Sequence, residues 1–91
     1  MPEAGFDSGR RYGLDPRVAL RPEPFGALCY HYGNRRLNFL RSKELVSLVE
    51  GLEAHASVDE ALAASGIEES RWPAVTTALA ALERSEVLRA C

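Results

Sequence analysis

The sequence predicts an α+β fold, a three-stranded antiparallel sheet followed by three helices, and three observations lead there. Strand-like runs are confined to residues 17–40, and two of them flank Gly33-Asn34; from Leu45 onward apolar residues recur at helical intervals; neither pattern interrupts the other. Strands segregated from helices define this class. Ninety-one residues allow one modest core and one domain.

Residues 1–16 scatter Pro2, Gly5, Gly9, Gly13 and Pro16 among charges, with only Phe6, Tyr12 and Leu14 to bury. The segment is expected to be a flexible N-terminal tail ahead of a folded unit spanning 17–91. Val18-Ala19-Leu20-Arg21 makes the first strand, which Pro22-Glu23-Pro24 should stop because proline donates nothing to a ladder. Phe25 to Tyr32 makes the second and Arg35 to Leu40 the third, with Gly33-Asn34, both tolerant of positive φ, as the tight hairpin turn between them.

Ser42 caps a helix whose apolar stripe is Leu45, Leu48, Val49 and Leu52, and Gly51 weakens its last turn. Ser57-Val58-Asp59-Glu60 matches a capping box, in which Ser57 accepts from the Glu60 amide and Glu60 from the Ser57 amide; that helix closes at Gly66. Glu69 or Ser70 opens the third helix and Pro73 sits in its first turn, where proline is tolerated. Trp72, Val75, Leu79 and Leu82 give it one continuous apolar side.

Composition excludes several functions. Charge interrupts every apolar stretch well short of the roughly 20 residues a spanning helix needs, so no membrane partner is expected. The N-terminus lacks the layout of a secretory signal, and Cys29 and Cys91 are the sole cysteines, which favours a cytoplasmic home. The sequence holds no Gly-rich phosphate loop, His-Glu-x-x-His, Gly-x-Ser-x-Gly or Cys-x-x-Cys, so neither catalysis nor a cofactor is expected. Cys29-x-His31 is the nearest approach to a zinc set, which His55 and Cys91 could complete only by accident of folding, so a buried cysteine beside a surface histidine is expected and no metal. Asp59/Glu60 and Glu68/Glu69 suit helix N-termini.

The net charge of −2 hides a division. Residues 1–41 carry seven arginines and four acids, whereas residues 42–91 carry four bases and nine acids. A hairpin with three helices is also the layout of a winged-helix reader of nucleic acid, or of a regulatory domain built like one. Its third helix would offer Arg71 and Arg84 beside Glu69, Glu83 and Glu86, however, and phosphate contacts dominate the affinity of such readers. Nucleic acid is therefore the alternative, not the expected partner. Arg35, Arg36 and Arg41 flank a third strand with no strand-like run after it to cover its outer edge. Either the arginines protect a solvated edge from unwanted pairing, or an extended peptide adds a strand there while they attract its acidic side chains.

The stretch Arg17-Val-Ala-Leu-Arg-Pro-Glu-Pro-Phe-Gly-Ala-Leu-Cys-Tyr-His-Tyr-Gly-Asn-Arg-Arg-Leu-Asn-Phe-Leu40 resembles the signature of the peptide chaperones of mycofactocin biosynthesis, relatives of the chaperone of pyrroloquinoline quinone biosynthesis. The resemblance covers about residues 14–88 and is most specific in the Arg-Pro-Glu-Pro-Phe-Gly-Ala block. It implies a winged-helix-like precursor-recognition domain that is not itself an enzyme. It further implies that the acidic leader of a short ribosomally made precursor peptide pairs with the third strand, in the cleft between that strand and the third helix. The partner enzyme would be a radical S-adenosylmethionine maturase, whose iron-sulfur chemistry needs cysteines this chain lacks. Carried onto this sequence, the strand position falls on Arg35, Arg36, Leu37, Asn38, Phe39, Leu40 and Arg41. The helix position falls on Trp72, Val75, Thr76, Leu79, Leu82 and Glu83, of which Trp72 and Leu82 can equally pack the core. A homodimer through paired edge strands is a further expectation.

Overall fold

The chain is described by a computed structural model covering residues 6–91; residues 1–5 of the expected tail lie outside the described residues. The element order is β1 (Tyr12–Leu14), β2 (Val18–Glu23), β3 (Gly26–His31), β4 (Leu37–Leu40), α1 (Lys43–Gly51), α2 (Val58–Ser65), α3 (Trp72–Arg84) and β5 (Leu88–Ala90), with 3-10 turns at Leu52–Ala54 and Glu69–Arg71. The architecture is α+β: β2, β3 and β4 form an antiparallel sheet in that order and the three helices follow, while β1 and β5 form a separate two-stranded ribbon.

Alternation along the strands fixes the inner face of the sheet. Ala27, Cys29 and His31 of β3 are buried, and the register sets Leu40 opposite Ala27 and Asn38 opposite Cys29, with Leu20 and Val18 across on β2. Leu48, Val49 and Leu52 from the stripe expected of the first helix are buried, with Leu45 partly so, and α1 packs on β3 and β4; Val58, Ala61 and Leu62 of α2 and Leu79 and Leu82 of α3 belong to the same core. Ser42 caps α1 by accepting from the Leu45 amide at 3.0 Å, and Ser57 accepts from the Glu60 amide at 3.1 Å. Glu60 returns to the Ala56 amide rather than that of Ser57, so the box closes one residue further out. Gly66 ends α2 in the left-handed region at φ 83°.

Three boundaries depart from the sequence reading. Residues 12–14, assigned to the tail, form β1, which pairs Tyr12 with Ala90 and Leu14 with Leu88 and buries Tyr12 under the stacked ring of Phe6. The ordered chain thus extends upstream of Pro16, and the ribbon brings together segments that neither periodicity nor length marks as strands. β2 runs through Pro22 to Glu23 because it is an edge strand, where a proline can turn its missing N–H away from its one neighbour. The hairpin after β3 is wider than a two-residue turn: residues 32–35 form the loop, and positive φ falls on Arg35 (61°) rather than on Gly33 or Asn34.

Gly26 has a φ of 150°, and a side chain there would collide with the Leu40 carbonyl oxygen and crowd the Ser42 amide. This explains the glycine between Phe25 and Ala27. It lets the start of β3 lie directly against the junction of β4 and α1, which holds the end of β4 in place.

Candidate functional site

Antiparallel strands alternate residues that bond to their neighbour with residues whose N–H and C=O point away from it. His31 donates to the Arg36 carbonyl at 3.0 Å, so along β4 the positions facing β3 are Arg36, Asn38 and Leu40. The backbone groups of Leu37 and Phe39 therefore point to the opposite side. Among the described residues no strand occupies that side, because β5 pairs with β1 instead. The outer edge of β4 is an open ladder.

Helix α3 is tied near both ends of β4. The Asn34 side-chain amide at the hairpin tip donates to the Ser85 carbonyl at 3.2 Å, just past the end of α3. At the other end Arg71, preceding α3, meets Glu44 at 2.7 Å in the first turn of α1, three residues after Arg41. Helix and strand consequently run in opposite directions between two anchor points, with β4 packed on β3 and α1 and α3 packed on β5.

These placements sort the sequence-predicted residues. Arg35, Arg36, Leu37, Phe39 and Arg41 are exposed and Asn38 is half-buried, whereas Leu40 is a core residue. On α3, Trp72, Val75, Thr76 and Glu83 are half-buried, while Leu79 and Leu82 belong to the core. Leu79, Leu82 and Leu40 thus line no open surface; a single stripe cannot tell which of its members meets the sheet and which remains at the border. Trp72 packs against the core and donates its indole N–H to the Ile67 carbonyl at 3.0 Å. The Arg41 guanidinium lies 5.5 Å from the Phe39 ring centroid, a cation–π arrangement on the solvent side of β4.

Sequence reasoning missed the group that shapes the hairpin tip. His31, expected at the surface, is completely buried, and its Nδ1 accepts from the Gly33 amide at 2.9 Å and the Asn34 amide at 3.0 Å. With Nδ1 acting as acceptor, the ring proton sits on Nε2, which faces Asp15 Oδ2 at 3.9 Å. The Asn34 Oδ1 then accepts from the Arg36 amide at 2.8 Å. Together these bonds hold Arg35 and Arg36 at the mouth of the open edge. The only sequence clue is the spacing His-x-Gly-Asn, since an imidazole two residues before a glycine can reach back over the turn.

Asp15, buried with its side chain 5% exposed, anchors the same corner. Its carboxylate accepts from the Arg17 guanidinium at 3.0 Å and the Arg17 amide at 2.8 Å, and these bonds hold its pKa well below the usual carboxylate range. The Asp15→Asn variant is expected to lose about 2 kcal/mol, typical of hydrogen bonds to a charged group, or roughly 10 °C in melting temperature for a domain this small. The sign of its pH dependence follows. A carboxylate depressed in the folded state stabilises fully above its unfolded value near 3.8, so the gap between parent and variant should stay constant above about pH 5, narrow steadily as the pH falls below 4, and close only once the pH has dropped through the depressed native value. A gap that fails to narrow between about pH 5 and pH 2.5 in thermal melts would contradict this role.

Elsewhere, a cavity of about 470 Å³ lies between α1 and α2, bordered by Lys43, Ser47, His55 and Ser65 and away from β4. Burial pushes the Cys29 thiol up to about 11, which keeps it protonated at neutral pH, while Cys91 is exposed. No helix among the described residues is long and apolar enough to cross a membrane.

The profile of the peptide chaperone MftB family matches residues 11–89, the whole of both sheets and all three helices save a single residue of β5. Peptide chaperone MftB of Mycobacterium ulcerans is 41% identical over 83 residues, covering 91% of this chain and 76% of that protein. Its namesakes in Mycolicibacterium smegmatis and Mycobacterium tuberculosis are 40% and 37% identical over the same length, covering 81% and 76% of those proteins. No solved structure matches the chain significantly. A match of this extent, over a fold of the expected order, places the chain in the peptide chaperone MftB family.

Proposed function

We infer that the protein is a non-catalytic peptide chaperone of mycofactocin biosynthesis that binds the leader of a short acidic precursor peptide by strand addition to β4 and presents it to a radical S-adenosylmethionine maturase. The observation that carries this reading is the open ladder at Leu37 and Phe39, flanked by Arg35, Arg36 and Arg41, with α3 anchored to the segments just before and just after β4. A guest strand would satisfy those backbone groups, and its inward side chains would meet Trp72, Val75, Thr76 and Glu83. Main-chain bonds would give affinity, and the arginines would select an acidic leader. The relatives in the two mycobacterial species bear the name of peptide chaperones, which supports carriage of a peptide rather than chemistry on it.

Titrating the labelled chain with a synthetic acidic precursor peptide tests this directly. Amide resonances of Leu37 to Arg41 and of α3 should shift, with slowed exchange at Leu37 and Phe39. Shifts confined to the α1–α2 cavity would place the peptide elsewhere and refute strand addition. A duplex DNA titration serves as the comparison and should leave the spectrum unchanged.

A further inference from the structure

The sheet has a second face, which meets the peptide site only along β4 and the hairpin tip. Ala19 and Arg21 of β2, Leu28 and Tyr30 of β3, and Leu37 and Phe39 of β4 point away from the core, opposite the side covered by the helices. Large apolar side chains are concentrated there: Tyr32 is 66% exposed, Leu37 55%, Phe39 50% and Phe25 45%. They are organised, not scattered, with Phe25 edge-on to Phe39 at 6.0 Å and Tyr30 edge-on to Tyr32 at 5.0 Å. A contiguous exposed aromatic patch with a polar rim marks an interaction surface. Its rim is basic: Arg21 and Arg41 on the face and Arg35 and Arg36 at the hairpin tip, with Glu23 the one acid, already beside Arg21 at 3.5 Å.

We propose that this outer face is the docking surface for a folded protein whose own contact patch is apolar at its centre and carboxylate-rich at its border. Under the function inferred above, on which this assignment rests, that protein is the modifying enzyme. Charge decides the occupant. Two copies of the chain meeting face to face would bring both sets of rim arginines together, whereas an acidic rim opposite them is attracted and correctly oriented. The location also explains presentation. A strand added beyond β4 turns every second side chain outward, next to Leu37 and Phe39, so the enzyme would meet one continuous surface built from chaperone and peptide. Peptide binding therefore uses the edge of β4 and enzyme docking the outer face beside it, and the two reinforce each other.

The test uses residues outside β4 and α3. The full chain carrying Phe25→Ser with Tyr32→Ser, and separately Arg21→Glu, is titrated with the purified maturase and, in parallel, with the synthetic precursor peptide. Both variants should keep peptide affinity within about threefold and lose maturase affinity by tenfold or more; Arg21→Glu alters one exposed side chain and preserves the test if the double variant folds poorly. Unchanged maturase affinity, or no binding of maturase by the parent chain, overturns the proposal. So does parallel loss of peptide affinity, which would assign the face to the peptide, and so does a parent dimer in sedimentation that the variants dissolve. Failure of the parent chain to bind the peptide refutes the proposed function instead.

Discussion

Replacing Arg35 and Arg36 together with glutamate is expected to weaken binding of an acidic leader peptide roughly a hundredfold at low salt, about tenfold for each charged contact removed and opposed. Both side chains are exposed and make no ion pair among the described residues, so stability should change little. The loss should shrink in 0.5 M salt, where screening shortens the reach of exposed charges to a few ångströms. Fluorescence anisotropy of a labelled peptide at two salt concentrations measures both effects. Affinity within twofold of the parent would show that these arginines protect the edge from unwanted pairing and play no part in recognition.

The second large effect separates backbone from side chain. Because the Leu37 N–H faces away from β3, Leu37→Pro removes no bond within the sheet, and proline is accepted on edge strands for that reason. It does remove a donor that an added strand requires. Leu37→Pro should therefore bind the peptide at least tenfold more weakly than Leu37→Ala, with comparable melting temperatures, since Leu37 is exposed. Equal affinities for the two variants, measured by calorimetry, would mean that the peptide does not extend this sheet.

Much of this was readable in the residues because the signals are local. Ser42, Ser57 and Gly66 each act within one turn of themselves, and the stripe from Leu48 to Leu52 needs only helical spacing to declare its buried face. The hairpin was readable in position but not in form, since the Gly33-Asn34 pair suits a two-residue turn and the His31 imidazole, invisible to turn statistics, widens it to four. β1 was hidden for a different reason. Its three residues carry no alternation that a window could detect, and the partner that makes them a strand is at residues 88–90. The same limit applies to α3: Leu79 and Val75 are equivalent on a helical wheel, yet one is core and the other stands at the border.

The β1–β5 ribbon joins residues near opposite ends of the sequence, and this orders events during synthesis. On a ribosome the β2–β3–β4 meander and α1 can form from neighbouring residues soon after they emerge, but Tyr12 must wait for Leu88 to Ala90 to leave the exit tunnel. For that interval Tyr12, buried in the folded chain, would lack its cover, so the segment made first is among the last to dock.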